Sequence, residues 1–411
     1  MIFLKKKANQ NDRISDLPSN VIDAILGNLR IRDQVRTSIL SKKWRYKWIS
    51  VPQIYFEEDF FESFIHLDDP VISQIIAEVV MIRNGPIHKF SVCVSGDCEF
   101  NISKEKLNMW IPFMSTDLTH LKLLTYCTPP DEHQMPEILF SCKELTYFKF
   151  SSFNLSIPPN FCGFKKLLEL HLVCVEFETS ALESLILGCP FLGKLSIEQC
   201  TGCDYLVISS PSLKVLVLTL IYTKSICLEK ANNLIDFSLT TYEGRCFIKS
   251  LPKIKRFSLT IWEKYEDIIP PMFRTSSFSS LEYLKLDGLN FKESGQLLHI
   301  VSILKSAPKL IELDIEEIFD DVNTTQMTDY SKEELECCSS CPKLQTVKIN
   351  GGSSQHAMSL IKFILANSPS LKSLTFSCIF INLDAPMLLK ISQDLLLMER
   401  ASPRARVSFR Y

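Results

Sequence analysis

Two pairs of cysteines have the spacing that zinc sites and redox sites use. Cys200 and Cys203 are separated by two residues, and so are Cys338 and Cys341. Together the four thiolates could hold one tetrahedral zinc ion, and either pair alone could cycle between thiols and a disulfide. The pairs stand 135 residues apart. Whether they can meet depends on how the chain between them is organised.

The other residues capable of chemistry do not form a catalytic pattern. The seven histidines include no H-E-x-x-H pair, and the sequence has no phosphate-binding loop, dinucleotide fingerprint or G-x-S-x-G elbow. Only 12 of 411 residues are glycine, below the average of about 7%, which disfavours loops that need close backbone approach. We therefore predict a protein that is not an enzyme and that uses no metal or other cofactor.

The net charge limits which classes of partner are expected, and the cysteines indicate the cellular compartment. The formal charge is −2, which gives no overall sign of nucleic-acid binding. We find no run of ~18 uncharged apolar residues, so we predict no membrane span. Several of the 15 cysteines stand singly on apolar stretches, where cysteine behaves as a small buried hydrophobe. We predict free thiols in the reducing nucleus or cytoplasm, with neither nucleic acid nor membrane as a partner.

One short pattern recurs along most of the chain. It consists of an apolar residue, two variable residues, an apolar residue, one variable residue and a third apolar residue. The eleven copies are LTHLKL (118–123), LTYFKF (145–150), LLELHL (167–172), LGKLSI (192–197), LKVLVL (213–218), LIDFSL (234–239), IKRFSL (254–259), LEYLKL (281–286), LIELDI (310–315), LQTVKI (344–349) and LKSLTF (371–376). They start 20 to 34 residues apart, and most spacings fall in the ~20–29 residues of leucine-rich repeats.

The repeats predict stacked units that each contain a strand. In six copies a proline lies two residues before the first apolar position, where it ends a preceding helix. Segments 181–190 and 297–308 fit that helical side. A generic buried sheet with chance periodicity is the alternative, which eleven copies disfavour. Since only neighbouring repeats touch in such an array, the two cysteine pairs should not meet, and we favour ordinary thiols over zinc or redox chemistry.

The variable residue inside each predicted strand should point away from the core, because side chains alternate along a strand. This row is basic at both ends and small and polar in the middle. We predict that a protein ligand binds there, although about half of the row is expected to be simply solvated. The candidate substrate-binding residues are Lys149, His171, Lys285, Asp314 and Lys348.

The first 52 residues do not follow the repeat pattern. Leu17, Val21, Ile22, Ile25 and Leu26 have helical spacing after Pro18. Asp33 is a candidate cap for a second helix, whose apolar residues run from Val35 to Trp48. About 40 residues in two or three short helices lie near the lower limit for independent folding, so the module should need a partner to cover its apolar surface.

This segment resembles an F-box of the plant type. The shared features over residues 12–52 are the DRIS-x-LP opening, a central Ile-Leu, a T-S-x-L-S-K-x-W-R core and a closing tryptophan. Near the other end, residues 359–376 and 390–409 are similar to the FBD domain that plant F-box/leucine-rich-repeat proteins often carry. The resemblance thus covers most of the chain, with its most specific motifs at the start.

The expected fold class is α/β: a small all-α F-box module followed by an irregular leucine-rich-repeat solenoid with parallel strands and a helical outer side. The predicted domains are a flexible tail (1–11), the F-box (12–52), a linker with an atypical capping repeat (53–115), leucine-rich repeats (116–350) and an FBD-like domain that continues the array (351–411). Residues 320–335 are polar and acidic and predict a surface loop.

The resemblance implies a substrate receptor of an SCF-type (Skp-cullin-F-box) ubiquitin ligase. In that family the F-box binds a Skp-type adaptor, and through it a cullin scaffold, while the repeats hold a target protein. Carried over by position, the adaptor-binding residues are Leu17, Pro18, Val21, Ile25, Leu26, Ser38, Leu40, Lys43 and Trp44, some of which are expected to be core. Trp48 is expected to be structural.

Two alternatives remain open at this stage. One is a small-molecule, hormone-like sensor on the same scaffold, which needs a deep pocket with basic residues at its floor. The other is a repeat scaffold with no ligase association. Seven Lys or Arg and one Asp between residues 30 and 48 could serve nucleic acid or anionic lipid, but their position in the F-box pattern favours steering toward an acidic adaptor.

Overall fold

A computed structural model describes most of the chain. The described residues are 14, 16–94, 98, 100–125, 134–178, 180–219, 223–241, 247–248, 253–261, 278–289, 294–317, 341–351, 355–378 and 385–411, with only the backbone at 247, 294–299 and 355–356. The predicted tail (1–11) and the predicted acidic loop (320–335) lie outside them. The chain divides into two compact units, residues 1–191 and residues 192–411.

The first unit begins with short helices. Helix α1 spans Ser19–Gly27 and α2 spans Ile31–Arg36, followed by single 3-10 turns at Thr37–Ile39 and Lys47–Ser50. The second helix starts at Ile31, with Arg30 as its N-cap residue, so Asp33 does not cap it as predicted. Asp33 instead lies in the first turn, where its negative charge is favourable beside the helix N-terminus.

Five parallel strands of the first unit form its main sheet in sequence order. They are β1 (Gln53–Phe56), β2 (Lys89–Cys93), β3 (His120–Leu124), β4 (Tyr147–Ser151) and β6 (Glu169–Val173). Three of them coincide with predicted repeats, whereas β1 and β2 precede the first copy of the pattern. Between and after them lie α3 (Glu58–Ser63), α4 (Asp69–Met81), α5 (Lys104–Trp110) and α6 (Ala181–Leu187), with the short pair β5 (Asn154–Leu155) and β7 (Glu176–Phe177).

The second unit contains nine parallel strands in its main sheet. They are β8 (Lys194–Glu198), β10 (Val215–Thr219), β12 (Asp236–Thr241), β14 (Arg256–Ile261), β15 (Tyr283–Leu289), β16 (Glu312–Glu317), β17 (Thr346–Asn350), β18 (Ser373–Ser377) and β19 (Arg406–Arg410). The first eight coincide with predicted repeats. In every predicted strand the apolar positions are buried, since leucines such as Leu195, Leu216 and Leu284 expose 0% of their surface.

The outer side of the second unit is only partly helical. Helices α7 (Ser294–Ser306), α8 (Gln355–Asn367) and α9 (Ala385–Leu397) lie between its later strands. The earlier repeats instead carry β9 (Tyr205–Val207), β11 (Ser225–Cys227) and β13 (Phe247–Ile248), which pair in parallel. Those repeats are only 20 or 21 residues long. The strand of the main sheet and the two turns that flank it take up most of this length, so the remaining residues are too few for a helix.

Two further observations bear on membranes and metals. Of the helices in the described ranges, none has the length and apolar run that crossing a bilayer requires. Among the same residues, no group of three or more His, Cys, Asp or Glu is placed to hold a metal ion.

Candidate functional site

The short helices α1 and α2, with the turns that follow them, separate their apolar residues into a core and an exposed surface. Ile22, Leu26, Trp44 and Val51 form a buried cluster against which Leu17 and Leu29 pack. Leu26 and Trp44 are 0% and 1% exposed. Burial therefore removes these two from the predicted adaptor-binding surface. The indole N–H of Trp44 also donates a hydrogen bond to the carbonyl of Ile14.

The remaining predicted adaptor-binding residues lie at or near the surface. Pro18, Val21, Ile25, Leu40 and Lys43 are exposed. The Lys43 ammonium donates to the carbonyl of Leu17 at 2.9 Å, so its side chain holds the start of the module. The Ser38 hydroxyl donates to the carbonyl of Arg45 at 2.9 Å, which makes its role one of closing the turn.

Sequence reasoning missed the most exposed apolar side chain of the module. Ile39 is 86% exposed, and Val35 and Tyr46, four residues before it and seven residues after it, are 39% and 67% exposed. The expected single helical stripe is absent because α2 ends at Arg36. The chain then turns, so only Trp44 of that series reaches the core. We name Val21, Ile25, Val35, Ile39 and Leu40 the apolar surface.

Gln34 fixes the two helices relative to each other. Its side chain is fully buried, and its amide nitrogen donates to the carbonyls of Leu26 at 3.0 Å and Leu29 at 2.9 Å. The Leu26 carbonyl lies in the last turn of α1 and that of Leu29 lies two residues after the helix, so the side chain of Gln34 ties α2 to the end of α1. In the sequence, the only indication of this role is that Gln34 is a polar residue placed among the apolar residues of the second helix.

Arg83 attaches the module to the end of α4. Its guanidinium donates to the carbonyls of Trp48 and Val51 and lies 5.2 Å from the centre of the Trp48 ring. Burial lowers the pKa of Arg83 to about 10. Trp48 thus has the contacts of a structural residue, as was expected from the sequence.

The candidate substrate-binding residues form two groups that stand in register on neighbouring strands. In the first unit Lys149 pairs with His171 across β4 and β6. In the second unit Lys285, Asp314 and Lys348 are consecutive across β15, β16 and β17. The Lys285 ammonium lies 3.6 Å from the carboxylate of Asp287 and 3.9 Å from that of Glu316. Whether either group binds a target protein stays a prediction.

A polar cluster lies beside the first group. The carboxylate of Glu57 accepts a hydrogen bond from Ser91 at 2.8 Å and lies 3.3 Å from the ammonium of Lys122. Burial acts to raise the pKa of Glu57, but hydrogen bonds from Ser91 and Cys93 and the charge of Lys122 outweigh it and hold the pKa below its ordinary value. The partners are 34 and 65 residues away in sequence, so no local pattern predicted them.

Two pockets lie in the first unit. One, of about 200 Å³, opens on the strand face and is lined by Tyr55, Lys89, His120 and Tyr147 together with the Glu57 cluster. The other, of about 580 Å³, lies among the connecting segments and is lined by Phe140 and Phe161, among others, with two lysines, Lys143 and Lys165.

The cysteines are mostly buried rather than arranged for chemistry. Burial raises the pKa of Cys142 to about 12 and that of Cys203 to about 11. Cys200 is buried and its thiol contacts the carbonyl of Glu198 at 3.3 Å, while Cys338 lies outside the described residues. Cys174 is disulfide-bonded, which corrects the prediction that the cysteines are all thiols.

Comparison with known proteins identifies three domains by family model. An F-box domain matches residues 14–53, the leucine-rich repeats of "FBD-associated F-box protein At5g56370" match residues 108–250, and an FBD matches residues 335–376. An internalin from Listeria monocytogenes aligns with 83% of this chain and 94% of its own, at 12% identity and a TM-score of 0.29, a score too low to bear on the fold.

Curated relatives match along nearly the whole length. The Arabidopsis thaliana "F-box/FBD/LRR-repeat protein At1g13570" is 30% identical over 97% of this chain and 98% of its own. The Arabidopsis thaliana "Putative FBD-associated F-box protein At3g50710" is 25% identical over 89% of this chain and 92% of its own. The expectation of F-box helices followed by a parallel-strand leucine-rich-repeat fold is thereby confirmed, and the chain belongs to the F-box/FBD/LRR-repeat family of plants.

Proposed function

We propose that this substrate-recognition F-box protein is the target-binding subunit of an SCF-type ubiquitin ligase. In this proposal the F-box docks on a Skp-type adaptor, which links the chain to a cullin scaffold, in the nucleus or cytoplasm. The strand faces of the repeats hold the protein to be ubiquitinated. The chain supplies no catalytic group and acts by bringing two proteins together.

The observation that carries the proposal is the apolar surface of the F-box. Ile39 and Leu40 are 86% and 51% exposed, and Val21 and Ile25 stand one helical turn apart on α1. Exposed apolar side chains concentrated in one short module mark a candidate interaction site, since leaving them in water is unfavourable. Exposed cations, among them Arg36, Lys42 and Arg45, lie close to Ile39 and Leu40 in sequence, and this charge supports steering toward an acidic partner.

The test is adaptor binding by an Ile39→Asp/Leu40→Asp double variant. Both side chains point into solvent, so the change leaves the module core intact while placing charge in the interface. We expect more than a tenfold loss of affinity for a purified Skp-type adaptor, measured by isothermal titration calorimetry. Leu17→Ala is a poorer probe, because Leu17 packs against the core.

The matched control is Asp23→Asn, an exposed change on α1 outside the apolar surface, which should bind the adaptor as the unchanged protein does. Circular dichroism should show the same helix content in all three proteins. Adaptor binding that survives the double change would contradict the assigned surface, and an unchanged protein that binds no adaptor would contradict the proposed function itself.

The hormone-like sensor is not favoured by the pocket on the strand face. The volume of this pocket is about 200 Å³, which is below the ~300–1,000 Å³ of sites that enclose drug-sized ligands. The pocket is large enough for one side chain of a bound protein, which fits the receptor proposal.

A further inference from the structure

Three aromatic rings cross the strand face of the first unit side by side. His120 on β3 stacks on Tyr147 of β4, with ring centres 5.8 Å apart and planes 17° apart. Tyr147 in turn contacts His171 of β6 at 5.3 Å. We name these three residues the aromatic stripe. The planes of Tyr147 and His171 are 39° apart, so the stripe is not flat, but it offers an aromatic surface against which another aromatic side chain can pack.

Two lysines flank the aromatic stripe without a counter-charge. Lys89 stands in register with His120 at one end of the stripe, and Lys149 stands in register with His171 at its other end. The neighbouring Lys122 is already paired with Glu57, and His171 lies 3.3 Å from Glu169. Within the described ranges no carboxylate lies within ion-pair distance of Lys89 or Lys149. The face therefore presents two available positive charges.

The pocket of about 200 Å³ is lined by residues of β1, β2, β3 and β4, so it includes the strand that lies between the two lysines. Tyr55, His120 and Tyr147 contribute rings to its walls, and Lys89 stands at its edge. Burial and the nearby charge of Lys89 lower the pKa of His120, which favours the uncharged imidazole. The aromatic part of the wall favours an apolar or aromatic side chain, and the charged part, Glu57 with Lys122, is already paired within the wall.

The spacing of the two lysines matches an extended peptide. They lie two strands apart and two residues apart along the strand, which corresponds to about 12 Å between their Cα atoms for standard strand spacings. Residues four apart in an extended peptide point to the same side and lie about 13 Å apart. The residue midway between them also points to that side, toward the pocket.

We propose that the strand face of the first unit binds an extended acidic segment of the captured protein, and this rests on the proposed function. The segment places acidic residues four positions apart on Lys89 and Lys149, and the residue midway between them is aromatic and enters the pocket against Tyr55, His120 and Tyr147. The site thereby selects targets that carry an acidic-x-aromatic-x-acidic sequence.

The experiment uses the full chain and a fluorescein-labelled peptide, Gly-Glu-Ser-Phe-Ser-Glu-Gly, read by fluorescence polarisation. Binding should weaken at least tenfold in the Lys89→Ala/Lys149→Ala variant and should also weaken as salt rises, because exposed charges are screened. Peptides with Lys in place of Glu, or with Ser in place of Phe, should bind at least tenfold more weakly than the probe.

The control variant is Lys143→Ala/Lys165→Ala, which removes two exposed lysines that line the other pocket. It should bind the probe as the unchanged protein does. Loss of binding in this variant, with binding kept in Lys89→Ala/Lys149→Ala, would place the peptide in the larger pocket and overturn the inference. So would tighter binding of the lysine peptide than of the glutamate peptide, or no binding of any acidic peptide.

A third peptide, with phosphoserine at both acidic positions, distinguishes carboxylate from phosphate as the source of the negative charge. Either peptide binding through Lys89 and Lys149 supports the site, and their ratio identifies the preferred source. Failure of the inference is separable from failure of the proposed function, because adaptor affinity is measured on the same variants. Peptide binding without adaptor binding would contradict only the ligase role, whereas the reverse would contradict only the acidic segment.

Discussion

Glu57 shows how a single side chain can link a loop to two strands. It follows β1 directly, and its carboxylate is held by Ser91 of β2 and Lys122 of β3. Because these contacts favour the ionised form, the pKa of Glu57 lies below its ordinary value. A carboxylate with a depressed pKa stabilises the fold above the unfolded pKa of ~4.3, and this contribution is lost as the pH falls through the folded value.

We expect Glu57→Gln to lower the stability of the first unit at pH 7, because Lys122 loses its paired charge. The difference from the unchanged protein should shrink as the pH falls below ~4. Urea unfolding at a series of pH values measures it. Glu58→Gln, an exposed neighbour, is the control and should change little. An equally large difference at pH 3 would contradict this account.

For single residues, the sequence predicted which face of a strand a side chain lies on better than it predicted whether a side chain is buried or available for binding. The alternation along each strand placed Lys149 and His171 correctly on the same face, because period-two alternation is a local property. The same logic could not separate Leu26 and Trp44, which are core, from Val21 and Ile25, which are exposed. That separation depends on where the chain turns after Arg36, and the turn is set by tertiary packing around Trp44.

At the scale of elements, the F-box module meets the first strand through Arg83. The guanidinium, held at the end of α4, donates to two carbonyls of the turn that carries Trp48. Among the described residues, the Nε and second terminal nitrogen of Arg83 have no hydrogen-bond partner, so part of the burial cost is not recovered by hydrogen bonds. The two bonds that the guanidinium does make join the segment after α4 to the turn that carries Trp48.

We expect Arg83→Ala to destabilise the first unit by about 2 kcal/mol, since two carbonyls lose a charged donor. Hydrogen exchange should accelerate at residues 47–51 more than elsewhere in the unit. Arg36→Ala is the matched control, because its ion pair with Asp33 is exposed on both sides and such pairs contribute no more than ~1 kcal/mol. Uniform acceleration across the unit would contradict a local attachment.

The strand of each repeat was predicted correctly, because each repeat carries its own apolar pattern. The elements that depend on neighbouring repeats were predicted incompletely. All eleven copies of the apolar pattern became strands, since each buries its own leucines. The first and last strands, β1 and β19, were missed because their sequences carry only part of the pattern. Helices were expected on the outer side throughout, but spacing of 20 or 21 residues permits only the short strands β9, β11 and β13.

At the scale of the whole molecule, each unit presents its own charged face. The first unit offers the lysines beside the aromatic stripe. The second offers an alternating row in which Asp314 stands between Lys285 and Lys348. Alternating charges recognise a partner with the reverse order, whereas like charges oppose each other strongly at close range. The two faces are therefore suited to different parts of a target.

We expect Lys285→Ala/Lys348→Ala to reduce capture of a target severalfold while adaptor affinity stays unchanged. Affinity purification followed by quantitative mass spectrometry measures the captured protein. Target capture should be compared in the Ile39→Asp/Leu40→Asp background, so that captured proteins are not degraded, whereas adaptor affinity is measured on the Lys285→Ala/Lys348→Ala variant without those two changes. Equal loss of target and adaptor binding would indicate misfolding and would contradict a specific role for these lysines.

The exposed apolar residues of the F-box also affect the steady-state amount of the protein in a cell. An isoleucine that is 86% exposed favours self-association when no partner covers it. A partner that binds only the folded chain stabilises it by about 2.7 kcal/mol at one hundred times its Kd. If the adaptor is that partner, its concentration limits how much of this protein stays folded in the cell. Related F-box proteins then compete for the same adaptor molecules.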